Sequence, residues 1–456
     1  MSVEADEPSA AASCGPVAER QRLNAADRAL LAVNHALRDQ GAAGFETQMF
    51  VWLGGRVSAD GLRAAIARLA RQYPVVAARL VEDEEQGGPF WQFRPNAHCA
   101  LQEQTLESAE SEAVLDQAAR LLAAPIDLDR ADPIRFHLLH RPDDRDVFLV
   151  QYNHTLMDNR AALAVLREID RCYRAGPNDS AAAGVWQPDL IRTYLRQRSL
   201  ERRTAAAAGA ADLWNTLVRG GATMLGRPTP PAEGQPLPLR IVTRELEPRE
   251  SSALQSRVLA TCGIPNMSMA VLGSVFRAMR RWPATGNGSG NFIAGIGVDM
   301  GLRGRNRPVF HNLMSMVPIQ AGGQALDDRE ELLRALSRQF RDRVESEMDL
   351  GVLQLMSLFS RRPRHARWVI DALTRRGFSL WYGYFGPQDA AGDHFCDTAI
   401  ERVCYAGPAW SPMGLSLIAN QFRGRLLLQM TYIPASMPDA LASELLDEVI
   451  GDLTSK

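Results

Sequence analysis

The residues Val147 to Tyr152 form a short, mostly apolar run rich in β-formers that ends at Asn153 and His154, and a helical pattern takes over just beyond Asp158. A run of this length and composition reads as a buried strand. The helix is marked by Ala162, Leu166, Ile169 and Tyr173, at i, i+4, i+7 and i+11, with Arg167, Asp170, Arg171 and Arg174 turned elsewhere. A strand that delivers directly into an amphipathic helix admits few folds, and it holds His154 and Asp158 between two rigid elements. The HxxxD spacing alone is a weak motif, since it recurs at His35–Asp39 and His140–Asp144. The first of these falls inside a predicted helix, where such a pair is an ordinary surface neighbour, and the second falls on a predicted hairpin turn. Only His154–Asp158 occupies a strand-to-helix junction.

At 456 residues the chain exceeds one ordinary core, so two lobes are expected. The net charge of −2 argues against nucleic acid as a partner and gives no hint of a membrane surface. Cysteines at positions 14, 99, 172, 262, 396 and 404 form no CxxC pair, which predicts reduced structural thiols. The first twenty residues are acidic where a signal peptide is basic, and no stretch approaches the roughly 20 apolar residues of a membrane span. A cytoplasmic, monomeric protein is expected. There is no P-loop, GxGxxG fingerprint, GxSxG elbow or metal-ligand spacing, so no metal and no bound cofactor are expected.

In chain order, residues 1–20 read as a disordered Ala/Ser-rich tail and 21–185 as an N-terminal lobe carrying the HxxxD motif. Residues 186–238 read as a helical and Pro-rich linker, with prolines at 228, 230, 231, 236 and 238, and 239–456 as a C-terminal lobe. Within the first lobe, Asn24 and Ser58 are placed to cap helices, and Pro133–His140 with Asp146–Tyr152 predicts a hairpin. Each lobe mixes antiparallel strands with helices, the α/β (α+β) sandwich class.

The stretch Pro125-Ile126-Asp127-Leu128, then Asp132 to Leu139, then Val147 to Asn159, resembles the approach to the HHxxxDG active-site motif of the chloramphenicol-acetyltransferase-like superfamily. That superfamily includes the condensation domains of nonribosomal peptide synthetases and polyketide-associated acyltransferases. Val57 to Leu62 through Tyr73 to Leu80 is similar to its early helix, and His311-Asn312-Leu313-Met314-Ser315-Met316-Val317-Pro318-Ile319 to its later GNFVNTLPL-type segment. The resemblance runs from about Arg22 to the end of the chain.

It implies two lobes in a V-shaped pseudo-dimer with a tunnel between them, and a freestanding condensation-like acyltransferase. The donor is a thioester, carried on CoA or on a phosphopantetheinyl carrier protein, and the acceptor is an alcohol or amine. His154 corresponds to the reactive second histidine, a general base whose ordinary pKa suits the task. Asp158 becomes structural, paired with an arginine from Gly301-Leu302-Arg303-Gly304-Arg305, either Arg303 or Arg305. Two positions depart from the motif: Asn153 replaces the first histidine, and Asn159 replaces the glycine, where its tolerance of left-handed backbone could hold the turn. Candidates to contact substrate or stabilise the oxyanion are Asn153, Asn159, Ser315, Tyr382 and Tyr384. Arg361, Arg362 and Arg364 are candidates for the phosphate of CoA or an acidic carrier protein, or else form a solvated helix end. Two other readings stand beside this one, an acyl-CoA-dependent O- or N-acyltransferase outside any assembly line and a catalytically silent carrier- or ligand-binding homologue.

Overall fold

A computed structural model of the chain describes residues 20–83, 88–94, 99–175, 190–230, 235–282, 290–300, 310–359 and 369–455. The strands in chain order are β1 (Arg20–Arg22), β2 (Glu46–Leu53), β3 (Arg79–Val81), β4 (Phe90–Gln92), β5 (Leu101–Thr105), β6 (Ile134–His140), β7 (Asp146–Asn153), β8 (Arg240–Leu246), β9 (Asn291–Asp299), β10 (Met314–Gly322), β11 (Leu380–Pro387), β12 (His394–Phe395), β13 (Thr398–Ala406), β14 (Leu415–Phe422) and β15 (Arg425–Tyr432). The helices are α1 (Ala25–Asp39), α2 (Ala59–Gln72), α3 (Ser111–Leu122), α4 (Asn159–Arg174), α5 (Leu190–Arg196), α6 (Leu200–Gly220), α7 (Pro248–Cys262), α8 (Met267–Arg280), α9 (Arg329–Glu345), α10 (Met348–Phe359) and α11 (Asp439–Thr454). Two mixed six-stranded sheets organise these elements, one in the order β12-β13-β2-β7-β6-β5 and one in the order β10-β9-β11-β14-β15-β8, with a small sheet β1-β4-β3 beside them.

In the first sheet β2 and β7 are central and buried along their whole length, because helices cover both faces. Tyr152 points to the α4 face, where its hydroxyl donates to Asn159 Oδ1 at 2.6 Å. Gln151, one residue earlier, points to the α3 face and donates to the carbonyls of Leu121 and Ala124. The expected hairpin joins β6 to β7, and its turn places Asp144 in left-handed backbone, φ 59°. Helix starts follow the capping residues read from the sequence. Asn24 accepts from the Asp27 amide in a reciprocal box, and Ser58 accepts from that of Gly61. In the second sheet β11 runs parallel to both β9 and β14, and α8, α9 and α11 bury their apolar faces against it.

Three placements go beyond sequence periodicity. β13, from the C-terminal part of the chain, pairs with β2 of the first sheet, and the chain then enters the second sheet at β14. Residues 398–406 therefore complete the N-terminal lobe. The helical part of the expected linker is not free: Ile191 and Leu195 pack with Leu313, Leu350 and Leu353, and Gly351 lies directly against the Ala206 carbonyl. The described part of the Pro-rich stretch is held too, with the Thr229 amide donating to Ser411 Oγ and that of Leu237 to the Gly41 carbonyl. Among the described residues no single helix is long and apolar enough to cross a membrane. Only α7 and α8 together reach the length, as a pair bent by 96°.

Candidate active site

β7 ends at Asn153, and the next turn is tied down from three directions. The His154 amide donates to the Phe45 carbonyl at 2.9 Å, just before β2, and the Asn153 amide donates to Pro133. Asn153 Oδ1 accepts from the Thr155 amide at 3.0 Å, an Asx-type turn that a histidine in its place could not close in this way. Its Nδ2 donates to Asn34 Oδ1 at 2.8 Å, and Asn34 Oδ1 also accepts from the Phe45 amide at 2.8 Å. The side chain at 153 is fully buried, and its described bonds hold the junction together.

Asp158 caps α4, with Oδ1 accepting from the Ala161 amide at 2.9 Å. Its Oδ2 accepts from the backbone amide of Leu313 at 3.1 Å, and its own amide donates to the His311 carbonyl. One carboxylate thus starts the helix and binds the segment entering β10 of the second sheet. Asn312 doubles this crossing. Its Nδ2 lies within hydrogen-bond distance of the carbonyls of His154 and Thr155, at 3.0 and 3.2 Å, and of Asp27 Oδ1 at 2.9 Å.

His154 itself is 3% exposed. Its ring lies against Phe45, with centroids 4.7 Å apart and planes tilted by 31°, and Nδ1 is sealed without a hydrogen-bond partner. Burial pushes the imidazole below its ordinary pKa, and the pull of its own carbonyl, the Asp158 carboxylate and Asn312 in the other direction does not offset it. The ring is therefore neutral near pH 7, the form that can accept a proton.

The remaining residues expected from the sequence are distributed differently. Asn159 is the first residue of α4 and is absent from the residues with left-handed backbone, so its expected role in a strained turn is replaced by acceptance from the Tyr152 hydroxyl. Ser315 is buried, and its hydroxyl donates to the Asp349 carbonyl at 2.7 Å. Tyr382 points into the second-lobe core, where its hydroxyl donates to the Ser268 carbonyl at 2.8 Å, and Tyr384 packs against the same core. Burial holds both phenols well above their ordinary pKa. No described hydrogen bond or ring contact joins these three to His154, and for the two tyrosines alternation along β11 sends the even-numbered side chains toward α8. The odd-numbered Trp381 faces the junction instead, edge-on to Phe45 at 5.5 Å and tilted against Trp410 at 5.9 Å. Arg303, Arg305, Arg361, Arg362 and Arg364 lie outside the described residues.

Reading the sequence alone missed Phe45, Asn34 and Trp381 and gave no role to Asn312. Asn34 carries the one usable signal, a polar residue on the buried face of α1. The other two motif copies are accounted for locally: His35 pairs with Glu82 at 3.2 Å, and His140 lies 2.8 Å from Asp146 and 3.2 Å from Glu103.

Known structures share this architecture. The TRI3 trichothecene 15-O-acetyltransferase from Fusarium sporotrichioides superimposes with a TM-score of 0.70 at 13% identity, covering 97% of each chain. The first condensation domain of the calcium-dependent antibiotic synthetase, in complex with a substrate analogue, gives 0.69 at 15% identity over 95% of this chain and 96% of that one. The condensation domain of the Monacolin K polyketide synthase MokA gives 0.64 at 14% identity, over 95% and 96%. In sequence, 142 residues are 25% identical to a polyketide synthase-nonribosomal peptide synthetase from Aspergillus clavatus, a match spanning 31% of this chain and 3% of that protein. The model of the condensation domain matches residues 32–262, which contain the His154 junction and make up just over half of the chain, and the chain belongs to the condensation domain family.

Proposed function

We propose that the protein is an acyltransferase of the condensation type that moves an acyl group from a thioester to an alcohol or amine, with His154 as general base. The observation that carries this reading is a buried imidazole, held below its ordinary pKa by that burial, fixed at a junction that backbone and side-chain hydrogen bonds from both lobes hold in place. The imidazole takes the acceptor's O–H or N–H proton as the oxygen or nitrogen attacks the thioester carbonyl. The tetrahedral intermediate then expels the thiolate, which recovers that proton, leaving an ester or amide and a free thiol. A positioned base of this kind contributes about 10²–10⁴ in rate.

Among the relatives one is an O-acetyltransferase and others are condensation domains of synthetases, which supports an alcohol acceptor beside condensation chemistry. We place the reaction in specialised-metabolite assembly, with CoA or a carrier-protein phosphopantetheine as the thiol. Arg303 or Arg305 is the proposed further partner of Asp158, and Arg361, Arg362 and Arg364 the proposed contacts of the donor's phosphate or carrier. Asn153 and Asn159 both hold the junction together, which favours a working site over a silent binding homologue.

Intact-mass monitoring tests the proposal. Acyl-carrier protein and acyl-CoA are incubated separately with panels of alcohols and amines. Wild type should transfer from one donor or both, and His154→Ala should be slower by about 10²–10⁴. Equal turnover by the two proteins would remove His154 from the chemistry, and no transfer from either donor would favour the silent homologue.

A further inference from the structure

β2 and β7 pair so that Glu46 stands opposite Asn153, the residue that precedes the proposed base. The Glu46 side chain is 1% exposed. Its Oε1 accepts from the Ile126 amide at 2.9 Å, whereas Oε2 is sealed and has no hydrogen-bond partner. The Arg38 and Arg135 guanidiniums are near enough to interact with its charge, and the hydrogen bonds described for them go to backbone carbonyls. Arg38 on α1 donates to Ala43 at 3.1 Å and to Ile126 at 2.5 Å, and Arg135 on β6 donates to Pro125 at 3.0 Å. A carboxylate enclosed in this way would hold a charge with half its acceptor capacity unmet, which protein interiors avoid by keeping the proton. Burial indeed pushes the Glu46 carboxyl above its ordinary pKa, although the Ile126 amide, Arg38 and Asn153 all pull it down.

The enclosure is tight. A Cβ at Gly44 would stand 2.4 Å from Glu46 Oε2 and 2.6 Å from Asn34 Oδ1, so the acid and the amide that holds Asn153 share the space above one glycine. Between them in sequence is Phe45, whose carbonyl binds the His154 amide and whose ring lies against the imidazole.

Resting on the acyltransferase reading, we propose that Glu46 is a positioning residue that works as a neutral carboxylic acid, fixing with Asn34 and the Ile126 peptide the Asn153 carboxamide and the Phe45 backbone that present His154. In this form it leaves the Asn153 amide hydrogen on Asn34. An ionised Glu46 would draw the second Nδ2 hydrogen of Asn153 toward Oε2, shifting the carboxamide off Asn34 and loosening the strand end under the base.

The sign of the pH effect follows from linkage. A folded state that holds this proton more tightly than the unfolded chain loses stability as pH rises above the ordinary glutamate value of 4.5 toward the raised folded value. Glu46→Gln has the shape of the neutral acid and lacks this dependence. Thermal unfolding midpoints of wild type and Glu46→Gln should therefore diverge from pH 5 to pH 8, the variant becoming relatively more stable. In acyl transfer, Glu46→Gln should keep kcat and KM within about twofold of wild type, whereas Glu46→Ala should lose about tenfold or more in kcat with little change in KM. A midpoint difference that stays flat with pH, or a Gln variant as slow as the Ala variant, would overturn the proposal. Where Glu46→Ala does not fold, wild type against Glu46→Gln still decides. The unfolding measurement needs no substrate, so it separates failure of this proposal from failure of the acyltransferase reading.

Discussion

At His154, the proposed base, protonation is governed by what surrounds the ring more than by the ring itself. Phe45 covers one face, Nδ1 is shut off from solvent, and the neighbouring carboxylate of Asp158 accepts hydrogen bonds from two backbone amides. Burial disfavours the imidazolium, so the acid limb of kcat/KM should lie below the ordinary histidine value of 6.5. A pH–rate profile falling off at or above 6.5 would contradict the described burial. Asn153, which stands where the motif has its first histidine, is by sequence a candidate oxyanion donor. In the structure its carboxamide closes a turn onto Thr155 and reaches Asn34, a role that follows from asparagine's ability to accept from the backbone two residues on.

The α4 helix and the strand before it were legible because their signals are local. A β-rich run, an aspartate at the N-cap and an apolar stripe at helical spacing each depend only on neighbours in sequence. Which face β11 turns to the junction is not a local property of its sequence. Trp381 and Tyr382 are both large and aromatic, and only the pairing with β9 and β14 sends Trp381 toward Phe45 and Tyr382 toward α8. Asp158 belongs to the same scale, since it serves the helix and the segment entering β10 at once. Asp158→Asn keeps a good capping residue, while Asp158→Ala removes the cap and leaves the buried Leu313 amide without this acceptor. The alanine variant should therefore lose about 2–4 kcal/mol of stability in urea titration, and the asparagine variant about half of that. Equal losses would mean that the cap contributes nothing.

The two lobes are stitched rather than merely apposed. β13 is hydrogen-bonded into the first sheet and leads into β14 of the second, Asn312 reaches back to the His154 turn, and Arg402 pairs with Glu245 at 3.2 Å. Separating the lobes would strip the first sheet of a strand and leave buried amides unpaired. Urea unfolding followed by tryptophan fluorescence and by far-UV circular dichroism should therefore give coincident single transitions. Two resolved transitions would show that each lobe folds alone. The placement of α6 against α10 has the same origin. A sequence reads it as a tether, because its apolar face is narrow and its partner lies far along the chain.

The sequence by itself determined the class of fold, the hairpin, the helix caps at Asn24 and Ser58, and the one HxxxD pair that stands between a strand and a helix. These rest on periodicity, capping and turn chemistry, which act over a few residues. Tertiary structure alone decided which aromatic ring meets the histidine, which carbonyls Asn312 bonds, and which buried acid lies opposite Asn153. Each of these depends on strand register and on contacts between residues more than a hundred positions apart. A shift of one residue in pairing reverses every side chain on a strand, so no local pattern could have fixed them.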